Sequence, residues 1–256
     1  MISLIWIKDV IVDWVIIMAA VIIVIYNIWL LPISIIIIGT RQHALAILGH
    51  DATHKLVSKK RWLNEMLGNY FCFAPILIPW KGYRKFHAKH HKHLGTDQDP
   101  ELPKKENVNM TSETANPQTI VRMFIEDLFL VGAFKSFKDR SIPREEGDLK
   151  HILIVHALIL CLGFVHWIIP VMWYLSIFTS MLACTRLRVW HEHIGTDSTH
   201  KISSVWWQRW IFLPHNAEYH HEHHEHPAVP YNQLPEIAEE DRKKVSEIHS
   251  RKTLPE

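Results

Sequence analysis

Cysteine is scarce in this sequence, and the three that it has are far apart. Cys72, Cys161 and Cys184 form no C-x-x-C pair, so they cannot supply the four thiolates of a zinc ribbon, a rubredoxin-type iron site or an iron–sulfur cluster. They also give no sign of a disulfide scaffold. Excess charge is lacking too: the net charge is +2 with histidine neutral, which gives no case for nucleic-acid binding.

Charge is sparse in two long apolar stretches. The first runs from Ile2 to Leu48 with few interruptions, which is too long for one crossing because about 20 residues span the hydrocarbon core of a bilayer. The second runs from about Ile152 to Val189 and is broken at Ile169-Pro170. We therefore predict four transmembrane helices in two hairpins, over residues of about 10–26, 33–54, 152–169 and 171–190.

The basic residues predict the orientation of these crossings. The two loops on one side, near 27–32 and 169–171, contain no Lys or Arg, so all 28 basic residues lie on the other side or within a crossing close to it. The positive-inside rule makes that side cytoplasmic. The sequence thus predicts an all-α integral membrane protein with a single domain over residues 1–256, both termini in the cytoplasm, and a cytoplasmic helical cap from 55–150 and 191–256.

Histidine is abundant, with 20 residues, most of them close to another histidine. Three groups have the i, i+3 or i+4 spacing that puts imidazoles on one face of a helix: His50 and His54; His87, His90 and His91; His220, His223 and His224. A fourth, looser element is His191-Glu192-His193, at the end of the last predicted crossing. The four-helix topology brings all four elements to the cytoplasmic face.

Such a supply of imidazoles predicts a metal centre. A single tetrahedral zinc ion needs only three or four ligands, whereas about nine imidazoles suit two ions of higher coordination number with positions left for oxygen. Two other classes of histidine-rich membrane protein are alternatives to an oxidase with two metal ions. A metal transporter or storage protein should hold its ligands at the bilayer midplane, and a zinc-dependent membrane hydrolase leaves most of the histidines unexplained.

The boxes resemble those of a known superfamily. GHDATH, followed by FHAKHHKHLGTDQDPE and then YHHEHHEHPAVPYNQLP, is similar to the histidine boxes of membrane fatty acid desaturases and hydroxylases, in their order and at their intervals. The resemblance runs from the second crossing through Pro235 and looks most like the β-carotene ketolase and dihydrorhizobitoxine desaturase branches. It implies a non-haem centre of two iron ions, dioxygen as a co-substrate and electrons from a separate carrier.

The resemblance also implies a ligand set. HEHIG at 191–195 resembles the E-H-x-G element of alkane hydroxylases, in which that histidine is a ligand. By matching position, nine ligands are expected: His50, His54, His87, His90, His91, His193, His220, His223 and His224. Acyl-CoA desaturases have an assisting Asn four residues before the fourth-element histidine; here that position is Val189, and His191 or Glu192 is the candidate to compensate.

Acidic and polar residues near the boxes are candidates for supporting roles. Nine neutral ligands leave the charge of the iron uncompensated, and Asp51 and Glu192, which lie within the boxes, are the preferred carboxylates. Other acids near the boxes are Asp97, Asp99, Glu218, Glu222 and Glu225. Two roles are open for Arg41: it lines a substrate cavity below the metals together with Gln42 and His43, or it snorkels to the interface.

The expected activity is oxidation of an unactivated C–H bond in a lipid-like substrate. Desaturation, which we prefer, begins from the same hydrogen abstraction as hydroxylation and ketolation, and the sequence does not separate the three. An external ferredoxin, rubredoxin or cytochrome is expected to dock on basic residues of the cytoplasmic face, for example near Lys59, Lys60 and Arg61 or near Lys81, Arg84 and Lys85.

Overall fold

The computed structural model of the chain describes residues 2–101, 117–136, 142–193, 196 and 198–252. Parts of the predicted cap, 102–116 and 137–141, and Ile194 and Gly195 of the HEHIG element lie outside these residues. The described residues are predominantly helical and contain no β-strand; one isolated antiparallel bridge joins Ile2 to Ser58. This agrees with the predicted all-α class.

The first two helices lie over the first two predicted crossings. α1 spans Leu4–Tyr26 and α2 spans Leu31–Thr53, joined by a single 3-10 turn, Ile28–Leu30. Pro32 is tolerated in the first turn of α2 because the backbone N–H that it lacks has no partner inside a helix at that position. Both segments are long and apolar enough to cross a membrane.

The second half of the chain contributes one further helix of spanning length in the described residues. α7, Asp148–Cys161, continues into a 3-10 turn, Leu162–Phe164. The chain then reverses, and α8, Ile168–Ser176, continues through a π-helical turn, Ile177–Met181, into α9, Leu182–His193.

The reversal therefore comes earlier than the predicted break at Ile169-Pro170, and Pro170 lies in the first turn of α8, where proline is tolerated. Three helical segments, Leu4–Tyr26, Ile28–Thr53 and Ile168–His193, are long and apolar enough to span a membrane. α7, with 14 residues, is shorter than the roughly 20 that a crossing needs. The fourth crossing stays a prediction.

Shorter helices connect and cover these segments. After α2 come α3 (Arg61–Gly68), a π-helical turn (Asn69–Phe73), a 3-10 turn (Ala74–Ile76) and α4 (Trp80–His93). Between residues 102–116 and α7 lie α5 (Pro117–Leu128) and α6 (Val131–Ser136). After α9 come α10 (Trp206–Ile211), α11 (His220–Glu225) and α12 (Leu234–Lys252).

Close packing holds the long helices together while their outer surface stays apolar. A Cβ atom on Gly39 would lie 2.0 Å from Ser180 Oγ, so this glycine allows α2 to approach the π-helical turn before α9. Ile11, Val15, Met18 and Ile22 form an exposed row along α1. An apolar outer face of this size is typical of a protein surrounded by lipid.

Candidate metal centre

Two connections fix the start of α4, the helix that carries the second histidine box. Pro79 precedes its first residue, and the Asp148 carboxylate accepts hydrogen bonds from the backbone N–H groups of Lys81 (2.9 Å) and Gly82 (3.0 Å). A carboxylate is favourable there because the first N–H groups of a helix have no partner inside it. Asp148 is buried and is the first residue of α7, so its hydrogen bonds join the start of α4 to the start of α7.

The first group of imidazoles combines three of the boxes. The ligand atoms of its five histidines all lie within 4.8 Å of one another. His87 Nε2 is at its centre, 2.7 Å from His50 Nε2 and 2.9 Å from the Nε2 atoms of both His54 and His91. His223 Nε2, from α11, lies 3.1 Å from His91 Nε2.

The second group is built from α4, α9 and α11. Its members are His90, His193, His220 and His224, whose ligand atoms also lie within 4.8 Å of one another. His220 Nε2 is 2.9 Å from His193 Nε2 and 3.0 Å from His224 Nε2. The two groups adjoin, because the rings of His91 and His224 stack with their centroids 4.2 Å apart.

These distances fit two metal ions. Two imidazole nitrogens bound about 2.1 Å from one ion at a right angle lie about 3 Å apart, close to the separations within each group. Hydrogen bonds alone do not account for the first group, since a neutral imidazole has a single N–H and His87 Nε2 faces three other Nε2 atoms. The two groups together contain the nine histidines that the resemblance implies as ligands.

The environment keeps these imidazoles neutral, as ligands must be. Burial lowers the pKa of His54 from 6.5 to about 4. Burial, together with the neighbouring His54 and His90, lowers the pKa of His91 to about 3. The pKa values of His87 and His223 are likewise held well below the ordinary range, first by burial and then by the adjacent histidines.

Two carboxylates from the loop after α4 face the second group. Asp99 Oδ1 lies 2.8 Å from His90 Nδ1, and both side chains are buried. Glu101 Oε2 lies 3.9 Å from the Nε2 atoms of both His90 and His193, on the side where an ion would sit. The sequence indicates Asp99 only as one of several acids near the boxes and does not single out Glu101, for which the one signal is its nearness to the second box.

The preferred carboxylates are both buried, in different surroundings. Glu192 Oε1 is 3.6 Å from His220 Nδ1 and 3.4 Å from Arg188 Nε, so it lies behind a candidate ligand. Asp51 Oδ2 accepts a long hydrogen bond of 3.5 Å from the backbone N–H of Tyr231.

The remaining candidates for supporting roles are exposed or contact other residues. His191 and Asp97 are exposed, in contrast to His193 and Asp99 two residues later in each case. Glu222 is buried, with Lys201 Nζ 4.0 Å from its carboxylate.

The three residues expected at a substrate cavity are buried in α2 and bound to other segments. Arg41 Nη1 is 3.2 Å from Asp13 Oδ1, and the guanidinium lies over the Trp210 ring, 4.5 Å from its centroid. Gln42 Nε2 donates to Trp173 O (3.1 Å). His43 is hydrogen-bonded through Nδ1 to Thr185 Oγ1 (3.0 Å) and through Nε2 to Phe212 O (3.1 Å).

A cavity of about 260 Å³ lies between α5, α9 and the segment around α10. Arg188, which also contacts Glu192, forms part of its wall. Most of the other lining residues are apolar: Ile120, Leu187, Trp190, Ile202, Phe212 and Leu213. The cavity therefore offers an apolar space connected to the second imidazole group through Arg188 and Glu192.

Comparison with known proteins gives one family. The sequence model of the family described as "Fatty acid desaturase" matches residues 27–252. The chain is 32% identical over 121 residues to the sn-1 acyl-lipid omega-3 desaturase (ferredoxin) of Nostoc sp. (strain 36), which covers 47% of this chain and 32% of the relative. It is 36% identical over 76 residues to the dihydrorhizobitoxine desaturase of Bradyrhizobium elkanii, covering 29% of this chain and 22% of the relative.

A third relative aligns over most of both chains. The beta-carotene ketolase of Paracoccus sp. (strain N81106 / MBIC 01143) is 29% identical over 202 residues, which are 75% of this chain and 72% of the ketolase. By contrast, the aligned part of the chain spans about a third or less of the two desaturases above. The family match and these relatives confirm the superfamily predicted from the histidine boxes and indicate an oxidoreductase.

Proposed function

Since the chain belongs to the fatty acid desaturase family, we propose that it is an integral membrane oxidase that uses dioxygen and two iron ions to oxidise an unactivated C–H bond of a lipid-like substrate. The observation that carries the proposal is the convergence of nine imidazoles in two adjoining groups of five and four. In this proposal residues 1–256 form one domain with four crossings, and the histidine-rich cap and both termini are cytoplasmic.

The two groups divide the ligands between the ions. One iron ion would be bound by the first group, His50, His54, His87, His91 and His223. The other would be bound by the second group, His90, His193, His220 and His224, with Glu101 nearby. When bound, an iron pair supplies the redox chemistry that activates dioxygen for hydrogen abstraction. For desaturation the balance is one –CH2–CH2– unit, O2, two electrons and two protons to one –CH=CH– unit and two water molecules.

The protein side chains orient the ligands and limit the access of water. The Asp99 carboxylate accepts the Nδ1–H of His90, which leaves Nε2 free to face an ion. Glu192, behind His220 Nδ1, is placed to hold that ring in the same way. Burial of His87, His90 and His193 keeps bulk water from much of the centre.

A lipid-like substrate is supported by the apolar surroundings. The 260 Å³ cavity is lined largely by apolar side chains, and Arg188 in its wall contacts Glu192, which lies beside His220 of the second group. His43 hydrogen-bonds the backbone of Phe212, which lines this cavity, so a contribution of His43 to substrate binding stays within the proposal. Arg41 and Gln42, bound to Trp210, Asp13 and Trp173, would act through the packing around the cavity.

Desaturation is the preferred outcome, and hydroxylation or ketolation is the second candidate. Two of the relatives described above are named desaturases, whereas the third, which aligns over 75% of the chain, is named a ketolase. The electrons come from a separate acidic carrier such as a ferredoxin, which is supported by the word "ferredoxin" in the name of one relative. A rubredoxin or cytochrome is the alternative donor.

Product analysis tests the proposal. Membranes of cells expressing the chain should contain a lipid with two hydrogens fewer for desaturation, or one or more oxygens added for hydroxylation or ketolation, as measured by mass spectrometry. His90→Ala should abolish the new product. His93→Ala is the matched control, because His93 lies on the same helix but belongs to neither imidazole group. An unchanged lipid profile with a donor system present, or equal activity in the His90→Ala membranes, would contradict the proposal.

A further inference from the structure

α1 carries two aspartates on a helix of membrane-spanning character. Asp9 and Asp13 are four residues apart and so share one face of α1. Asp13 is buried. A charge inside a membrane-spanning segment is costly and is retained where it faces a partner inside the protein. α1 precedes the residues that the family model matches, so its role is not given by the family.

Both aspartates contact the segments that flank the third histidine box. Asp13 Oδ2 accepts a hydrogen bond from His215 Nε2 at 2.7 Å, while Asp13 Oδ1 faces Arg41 Nη1 at 3.2 Å. Asp9 Oδ2 accepts a hydrogen bond of 2.5 Å from the Tyr231 hydroxyl. α11, with His220, His223 and His224, lies between His215 and Tyr231 in the sequence.

The backbone entering the third box has a conformation that needs support. His215 and Asn216 both have positive φ angles, 52° and 59°, in the left-handed region that side chains with a Cβ atom disfavour. Two such residues in succession persist where surrounding contacts hold them. Asn216 Nδ2 also donates to Tyr231 O at 3.1 Å, so the start and the end of the box segment are tied together and both are tied to α1.

We propose that His215 and Asp13 are positioning residues for the metal centre: their hydrogen bond fixes the segment that carries the third histidine box to α1. The inference rests on the proposed function, because it assigns to α1 the task of setting ligand geometry. The third box supplies His223 to the first group and His220 and His224 to the second, so a shift of this segment disturbs both ions.

The size of the effect follows from what supporting residues contribute elsewhere. Loss of a hydrogen bond that orients a ligand weakens metal binding by about 10- to 100-fold. His215 acts on the backbone of the box and lies five residues before His220. We therefore expect His215→Leu to weaken the binding of both ions by about tenfold.

Cobalt titration of the purified 256-residue chain in detergent tests this inference. Co2+ alone is the probe, and its visible absorption reports ligand geometry and binding without turnover. His215→Leu should weaken Co2+ binding and alter the spectrum. His215→Gln should restore both, since its amide N–H reaches about as far as Nε2. Tyr231→Phe, which removes only the hydroxyl that donates to Asp9, should give a smaller loss.

The matched control is a second buried histidine away from the boxes. His156, in α7, bonds Ala74 O at 3.0 Å and the Tyr174 hydroxyl at 2.8 Å. His156→Leu should lower the unfolding temperature and leave Co2+ binding unchanged. Equal Co2+ affinity and spectrum in the wild type, His215→Leu and Tyr231→Phe would overturn the inference alone. A wild-type chain that binds fewer than two ions would overturn the proposed function, and the inference with it.

Discussion

His90 and Asp99 are joined by a hydrogen bond of 2.8 Å between Nδ1 and Oδ1, and neither side chain is accessible to solvent beyond 1%. The carboxylate fixes which ring nitrogen carries the proton, so Nε2 presents its lone pair to the second imidazole group. The bond also anchors the loop after α4, because Asp99 Oδ1 accepts the backbone N–H of Glu101 at 2.9 Å. One aspartate thus orients a candidate ligand and places a second carboxylate.

Asp99→Ala should reduce the affinity of the second site for metal by about 10- to 100-fold, because His90 loses its orienting acceptor. The measurement is the metal content of the purified protein after dialysis against a weak chelator. Asp97→Ala is the matched control, since Asp97 is an exposed aspartate in the same loop. Equal metal retention by the two variants would refute the role given to Asp99.

Glu101→Gln should weaken the second site and spare the first. The Glu101 carboxylate lies 3.9 Å from two Nε2 atoms of the second group, and its negative charge offsets that of a bound cation. A Co2+ titration that resolves two steps should show one step shifted to higher Co2+ concentration and the other unchanged. Glu225→Gln, on an exposed glutamate of α11, is the control. A wild-type titration curve for Glu101→Gln would exclude a contribution of this charge.

His193→Ala should cost the protein one of the two proposed ions, whereas His191→Ala should keep both. His193 Nε2 belongs to the second group, 2.9 Å from His220 Nε2, but His191 is exposed. Elemental analysis of both variants, purified side by side, measures the difference. Loss of metal on replacing His191, with retention on replacing His193, would reverse this assignment.

These contrasts mark how far the sequence predicts the site. Spacings of three and four residues fix which imidazoles share a helix face, and the structure brings these box histidines together in the two groups. The helical periodicity ends with α4 at His93. Beyond it the chain forms a turn, in which Thr96 N–H donates to His93 O and Asp99 N–H donates to Thr96 O. As a result, the side chain of Asp99 is buried and that of Asp97 is exposed. No periodic pattern predicts that turn.

Hydropathy has a similar limit in the fold. It detects the apolar stretch after Ile152 but does not report where a helix ends inside it. The chain reverses after Phe164, and a hydrogen bond from Ile169 N–H to His166 O closes the turn into α8. Long-range contacts such as Asp148 with α4 and Asp13 with His215 join residues 66 and 202 positions apart, and these follow from tertiary packing alone.

Acidification should destabilise the metal-free protein between about pH 6.5 and pH 4. The pKa of His54 falls from 6.5 to about 4 in the folded state, and that of His91 falls to about 3, so the unfolded chain binds more protons within this window. The free energy of unfolding therefore decreases as the pH drops through it, and above about pH 6.5 these two groups cause no pH dependence.

Denaturation of the metal-free chain in detergent at pH 7.5, 6 and 5 measures this effect. Most carboxylates remain ionised down to about pH 5, so their protonation contributes little over this range. The double variant His54→Gln, His91→Gln should lose less stability over the same interval. An identical pH dependence in the variant and the wild type would show that these imidazoles are not the source.

The most direct test of the account is the metal content of the wild-type chain, purified from membranes in detergent and analysed for iron and zinc against the protein concentration. Two imidazole groups with separations near 3 Å predict close to two iron ions per chain. A single zinc ion per chain would contradict the account and favour a zinc-dependent hydrolase.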